Sequence, residues 1–152
     1  MQIKYLVGDA TYPVGPGLKI IIHICNDIDK WGRGFVLAVS KRWKEPEIAY
    51  HNLKLCERKL GEIQIIRVEA DIYVINMIAQ HSIGPDKEGH PPIRYDALVS
   101  CLQKVNEFAI TNNASIHAPR IGAGLGGGNW VIIETIITEV FGDIAVYIYD
   151  LK

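Results

Sequence analysis

Arg120-Ile-Gly-Ala-Gly-Leu-Gly-Gly-Gly-Asn-Trp130 is the most glycine-rich segment of the chain. Five of the seven residues from Gly122 to Gly128 are glycine, and such a run lets the backbone take positive φ and leaves room for a ligand where a Cβ would stand. It lies between a strand candidate, residues 115–118, and an apolar stripe at helical spacing, Ile133, Ile136, Ile137, Val140 and Phe141. Asn129 is the expected N-cap of that helix and Gly142 its stop. A glycine loop running from a strand into a helix can aim successive N–H groups at an anion, with the helix dipole behind them. A diphosphate suits such a nest, and the alternative is a glycine-rich turn that holds nothing. No Gly-Lys-Ser/Thr follows, so the loop is not a Walker A motif, and its late position is wrong for a dinucleotide fingerprint.

Working outward, strand candidates fall at residues 3–7, 19–25, 62–68, 72–79, 115–118 and 145–149, several of them β-branched runs of the kind found where both faces are covered. Helical stripes alternate with them. The clearest joins Ala97, Leu98, Cys101, Leu102, Val105, Phe108 and Ala109, stopped by Asn112 and Asn113. Shorter helices are expected over 34–43 and 47–59. The pattern is α/β. Residues 8–17, with Pro13, Gly15 and Pro16, are too short and broken for a crossover helix, which suggests a mixed sheet. No linker or repeat divides the chain, so residues 1–152 are expected to form one domain.

Composition narrows the function. The chain has 152 residues, 49% apolar and 22% charged, with a formal net charge of −1. That balance suits an ordinary globule and argues against non-specific nucleic-acid binding, which needs clustered cations. Three scattered cysteines, Cys25, Cys56 and Cys101, suggest buried free thiols rather than disulfides or a zinc cluster. No metal or other cofactor is implied. The absence of a signal-like start or a long apolar run predicts a cytoplasmic protein without membrane contact.

Two further polar loops follow strand candidates. Asn26-Asp-Ile-Asp-Lys-Trp-Gly-Arg-Gly-Phe35 is a second glycine-bearing turn into a helix, and loops of this kind converge beyond the carboxyl ends of strands in open α/β sheets. Asn26 can reach a ribose hydroxyl or form an Asx-turn with Asp27. His81, after the apolar run 72–79, is either a hydrogen-bonded structural residue or a general acid or base. His23 carries the same alternatives inside an apolar strand. Asp9, in Gly8-Asp-Ala-Thr11, either shapes a turn or accepts the exocyclic amine of adenine.

These segments resemble one family. Gly8-Asp-Ala-Thr11 resembles the start of macrodomains, His23 to Phe35 their first ligand loop, and Pro119 to Leu125 their phosphate loop, in order along nearly the whole chain. The resemblance implies a three-layer α/β/α sandwich on a mixed sheet of about six strands. It implies binding of ADP-ribose, or hydrolysis of ADP-ribose 1″-phosphate as in the small stand-alone members. Two alternatives stay open: a non-catalytic reader, and a hydrolase acting on ADP-ribosylated protein or nucleic acid. By resemblance, Asp9 holds the adenine, Asn26 the distal ribose, and Gly32, Arg33, Gly34, Phe35 with Ile121, Gly122, Ala123, Gly124, Leu125, Gly126, Gly127 and Gly128 the diphosphate and its surroundings, with Ala10 and Trp31 as further ligand-binding candidates. Catalytic candidates are Asn26, Asp27, His81 and His23. The branch that cleaves ADP-ribosyl-glutamate uses a strand-end lysine and an aspartate in the late loop; residues 72–83 contain no lysine, and positions 126–128 are all glycine.

Overall fold

A computed structural model describes residues 3–152. In chain order the elements are β1 (Ile3–Val7), β2 (Lys19–Asn26), α1 (Phe35–Arg42), α2 (Glu45–His51), a 3-10 turn (Leu55–Glu57), β3 (Ile63–Glu69), β4 (Ile72–Gln80), α3 (Tyr95–Asn112), β5 (Ser115–Ala118), α4 (Trp130–Phe141) and β6 (Val146–Asp150). The strands form one sheet in the order β1-β6-β5-β2-β4-β3.

The sheet is mixed, for a different reason from the one the sequence suggests. β1 and β2 are not neighbours, and the parallel pairs β1–β6, β6–β5 and β5–β2 make them run the same way. Residues 8–18 therefore cross between parallel strands without a helix. Among the described residues the one reversed strand is β3, a hairpin partner of β4. Every strand except β3 thus delivers its carboxyl end to the same edge of the sheet.

Alternation along the strands sorts the core into two layers. Ile20 and Ile22 on β2, Ile75 and Met77 on β4, Ile116 on β5 and Val146 and Ile148 on β6 pack beneath Leu98, Cys101, Leu102 and Val105 of α3 and Ile133 and Ile137 of α4. Ile21 and Cys25 face the other way with Val74 and Ile78, under Val39 of α1 and Tyr50 of α2. Each fully buried isoleucine or leucine stabilises the fold by roughly 1.5–3 kcal/mol. The central strands β2 and β4 are covered on both faces, whereas β1 is a half-exposed edge.

Helix ends follow their local chemistry. Asn129 caps α4, its side chain accepting from the amides of Val131 and Ile132. Gly142 ends that helix at φ 56, and Asn113 ends α3 at φ 50. The expected single helix over 47–59 is broken into α2 and the 3-10 turn. Tyr50 is fully buried against the second layer, the chain turns out at Lys54 (ψ 158), and Leu55 is 81% exposed. One cysteine also departs from expectation: Cys25 and Cys101 are buried, while Cys56 is exposed on this turn.

Candidate functional site

Four segments leave the shared sheet edge: residues 8–12 after β1, 26–34 after β2, 80–93 after β4 and 119–129 after β5. Hydrogen bonds tie three of them into a row. The Asp27 amide donates to the Gln80 carbonyl, the His81 amide to the Pro92 carbonyl, and the Ile93 amide to the Gly126 carbonyl. The first and last of the three also touch directly, because a Cβ built on Gly34 would meet Leu125 Cδ1 at 3.4 Å.

The glycine loop folds on itself. The Gly127 amide donates to the Gly124 carbonyl and the Gly128 amide to the Gly122 carbonyl. Gly122 and Gly127 take φ of 73 and 70. A Cβ on Gly126 or Gly128 would stand 2.8 or 2.7 Å from the Gly122 carbonyl oxygen, and one on Gly122 would stand 2.4 Å from Ile93 Cδ1. Most of the glycines are therefore required by the loop's own packing rather than by an approaching ligand. Gly124 is the exception, facing open space, as does Gly32 in the earlier loop. Among the described residues, the amides of Gly122, Gly124, Leu125 and Gly126 donate to no protein acceptor. Buried backbone donors are nearly always paired, so four free amides in one short loop are available to water or to an anion.

Asp27 and His81 come together. The Asp27 carboxylate, half-buried, accepts from the Ser82 amide through Oδ1 at 2.7 Å and lies 2.7 Å from His81 Nδ1 through Oδ2. This fixes the tautomer, since a carboxylate on Nδ1 keeps the proton there and leaves Nε2 its lone pair. His81 Nε2 has no protein partner among the described residues, and the ring is exposed.

Other sequence candidates land differently. His23 is buried, donates from Nε2 to Asn76 Oδ1 at 2.6 Å and sits edge-on to Trp31. Burial drives its pKa down to about 4 despite the Asn76 hydrogen bond. Without access to solvent or ligand it is a core residue, and the catalytic expectation for it fails. Asn26 is buried with its amide engaged by protein: Oδ1 accepts from the amides of Ile28 and Lys30 and from the Tyr50 hydroxyl, and Nδ2 donates to the Lys30 carbonyl. It organises the loop from beneath. The Trp31 indole is likewise core, its Nε1–H donating to Ser40 Oγ at 2.6 Å, and the Ile121 side chain is buried. For these two, only main chain is left for a ligand.

Among the described residues, Asp9 Oδ2 has no hydrogen-bond partner. Its Oδ1 accepts from the Thr11 amide and hydroxyl at 2.8 and 2.7 Å, which orients the carboxylate, and Ala10 packs in the core beside it. Arg33 and Gly32 are exposed, while Phe35 is partly buried against His23. Ala123 is half-buried in the glycine loop. Two concavities of about 540 and 520 Å³ lie elsewhere, one between α3 and α4 and one at the opposite end of the sheet around Leu18, Ile110 and Ile144.

Sequence reading missed the residues that hold the loops from behind. Tyr50 and His51 of α2 bond to Asn26 and Asp29, Glu47 reaches Trp31 through Ser40, and Pro91 to Ile93 support the glycine loop. A second hidden group is the chain of bonds from the Val14 amide to the Tyr149 hydroxyl to His117 Nδ1, and from His117 Nε2 to Ser115 Oγ. The alternation of Ser115 and His117 with the buried Ile116 and Ala118 was the available signal.

No family model matches the chain. Among solved structures, a protein of unknown function from Bacteroides thetaiotaomicron is 53% identical over 99% of both chains, with a TM-score of 0.96. Among curated relatives, an ADP-ribose 1″-phosphate phosphatase of Candida albicans is 23% identical over 91% of this chain and 93% of its own. An ADP-ribose glycohydrolase of Bos taurus is 24% identical over 99% of this chain and 92% of its own. A macrodomain protein from Streptomyces coelicolor is 41% identical over 98% of this chain and 99% of that one, with a TM-score of 0.82. With the mixed six-stranded sheet and the strand-end loops already described, this likeness shows that the chain belongs to the macrodomain family.

Proposed function

We propose that this chain binds ADP-ribose or a close derivative among the strand-end loops, and that it hydrolyses ADP-ribose 1″-phosphate there. The observation that carries the reading is the set of free amides at Gly122, Gly124, Leu125 and Gly126, beside a second glycine-bearing loop. Charge-assisted bonds from such amides contribute on the order of 1.5–3 kcal/mol each. Three or four, after ordering costs, suit a micromolar ligand at about −8 kcal/mol. A diphosphate can thus be held with little help from cationic side chains. The free Asp9 Oδ2 suits the adenine amine, and Gly32, facing open space, admits the phosphates or distal ribose.

The Asp27–His81 pair supports the hydrolytic half. His81 Nε2, with its lone pair directed outward, takes a proton from water as that water attacks phosphorus. The bond from phosphorus to the ribose oxygen breaks, its electron pair leaves on that oxygen, and the oxygen takes a proton from solvent, to which His81 then returns the one it took. The products are ADP-ribose and inorganic phosphate. Asp27 holds the imidazole in place through Nδ1. The relatives named as phosphatase and glycohydrolase support this class of chemistry, while the missing lysine and late-loop aspartate weigh against the glutamate-cleaving mechanism.

Phosphate release from ADP-ribose 1″-phosphate tests the proposal. His81→Gln and Asp27→Asn are expected to lower kcat by about 100-fold or more while calorimetry shows ADP-ribose binding retained. Turnover unchanged in both variants removes the pair from the chemistry. No turnover by the native chain, with binding intact, leaves a reader.

A further inference from the structure

The imidazole of His51 stands between two carboxylates. Its Nδ1 is 2.7 Å from Asp29 Oδ1 and its Nε2 is 3.2 Å from Glu47 Oε2. Carboxylates accept hydrogen bonds and do not donate them, so both contacts are attractive only when both ring nitrogens carry protons. A neutral imidazole must turn a lone pair toward one of the two.

Asp29 and Glu47 belong to a closed circuit around the loop at residues 26–34. Glu47 accepts from Ser40 Oγ at 2.9 Å through its other oxygen, and Ser40 Oγ accepts from Trp31 Nε1. The circuit therefore leaves the loop at Asp29, passes through α2 and α1, and returns to the loop at Trp31. Asp29 adopts φ 63, a left-handed conformation disfavoured for a residue with a side chain. The amides on either side of it, of Ile28 and Lys30, are held from the inside by Asn26 Oδ1. The charged groups facing His51 are Asp29 from the loop, Glu47 from its own helix and, behind Asp29, Arg58 at 3.5 Å from the Asp29 carboxylate; the Tyr50 ring completes its surroundings.

We propose that His51 is a positioning residue for the ligand loop, which it holds in its binding shape as a doubly protonated bridge between Asp29 and Glu47. The inference rests on the reading of residues 26–34 as part of the ADP-ribose site. Its consequence is a pH-dependent grip: the bridge is complete when His51 is charged and loses one side when it is neutral. The Asp29 carboxylate raises the imidazole pKa, partial burial opposes it, and Glu47 adds to the rise, so the bridge persists above the ordinary 6.5. ADP-ribose does not confuse the measurement, because a diphosphate esterified at both ends has no second ionisation near neutrality.

The test is calorimetric titration of the full chain with ADP-ribose between about pH 6 and pH 8.5, the range in which histidine changes charge. It is paired with NMR observation of the His51 ring. Native affinity is expected to fall about two- to fivefold as pH rises, the size of an exposed ion-pair contribution. The fall persists in His81→Gln and is absent in His51→Gln. Equal pH dependence in native and His51→Gln chains overturns the proposal. If ADP-ribose binds at no pH, the ligand reading fails instead, and NMR still decides the bridge. The Asp29 and Lys30 amides and the Trp31 indole signal must then move with the His51 titration, and their indifference to it would refute it.

Discussion

The Leu125 side chain lies against Gly34, its Cδ1 3.4 Å from the point a Cβ on Gly34 would occupy, and so joins the late glycine loop to the loop after β2. Gly34 also sits at φ 78, where a side chain is strained whatever space surrounds it. Gly34→Ala is therefore expected to lower unfolding stability by about 1–2 kcal/mol. Gly32 differs, since a Cβ there meets nothing. Gly32→Ala should leave stability within about 0.5 kcal/mol of native while weakening ADP-ribose binding. Denaturant unfolding and calorimetry on the two variants separate the roles; equal losses of stability would contradict the distinction.

The glycine loop yields a parallel contrast. Gly126→Ala places a methyl 2.8 Å from the Gly122 carbonyl oxygen, a backbone atom that cannot rotate away. The expected cost is about 1–3 kcal/mol of stability together with loss of ligand binding. Gly124→Ala, with open space around it, should fold as native and affect binding alone. A lower Tm for Gly124→Ala than for Gly126→Ala would show that the loop's internal packing is misread.

Two histidines make the fold sensitive to acid. Burial lowers His23 and His117 from the ordinary 6.5 to about 4, with Lys19 adding to the effect at His117. The folded values lie below the unfolded ones, so protonation favours the unfolded chain. Stability is full above about pH 6.5 and declines as pH falls toward 4. Urea midpoints measured from neutral pH down to about pH 4.5 should fall steadily, and His117→Gln should flatten the curve, because a neutral amide has no proton to gain in this range. A native midpoint constant over the range would contradict the burial of both rings.

Much of this was legible because local signals and tertiary placement agree. The β-branched runs of β2 and β4 announce strands buried on both faces, and Asn129 and Gly142 mark the ends of α4 as their side chains and φ preferences dictate. Order along the chain also let Asp27 and His81 be chosen as candidates. Their pairing was not readable, since it depends on β2 and β4 lying side by side. The break after His51 was hidden because Leu55 and Cys56 extend an apolar pattern that the chain in fact exposes. Asn26 and His23 have chemistry that fits a ligand equally well, and their protein partners Tyr50, Lys30 and Asn76 depend on contacts across the fold that the sequence does not show. The sheet was mixed as expected, yet from β3 rather than from the short segment at 8–17, because residues 8–18 join the parallel strands β1 and β2 without a helix.

In the proposed complex, main-chain amides of the late glycine loop grip a diphosphate. An amide-resolved NMR titration of the chain with ADP-ribose tests it most directly. The largest shifts are expected at the Gly122, Gly124, Leu125 and Gly126 amides, with small ones at Gly127 and Gly128, whose protons are already bonded within the loop. Saturation of the chain with these four signals unmoved would contradict it.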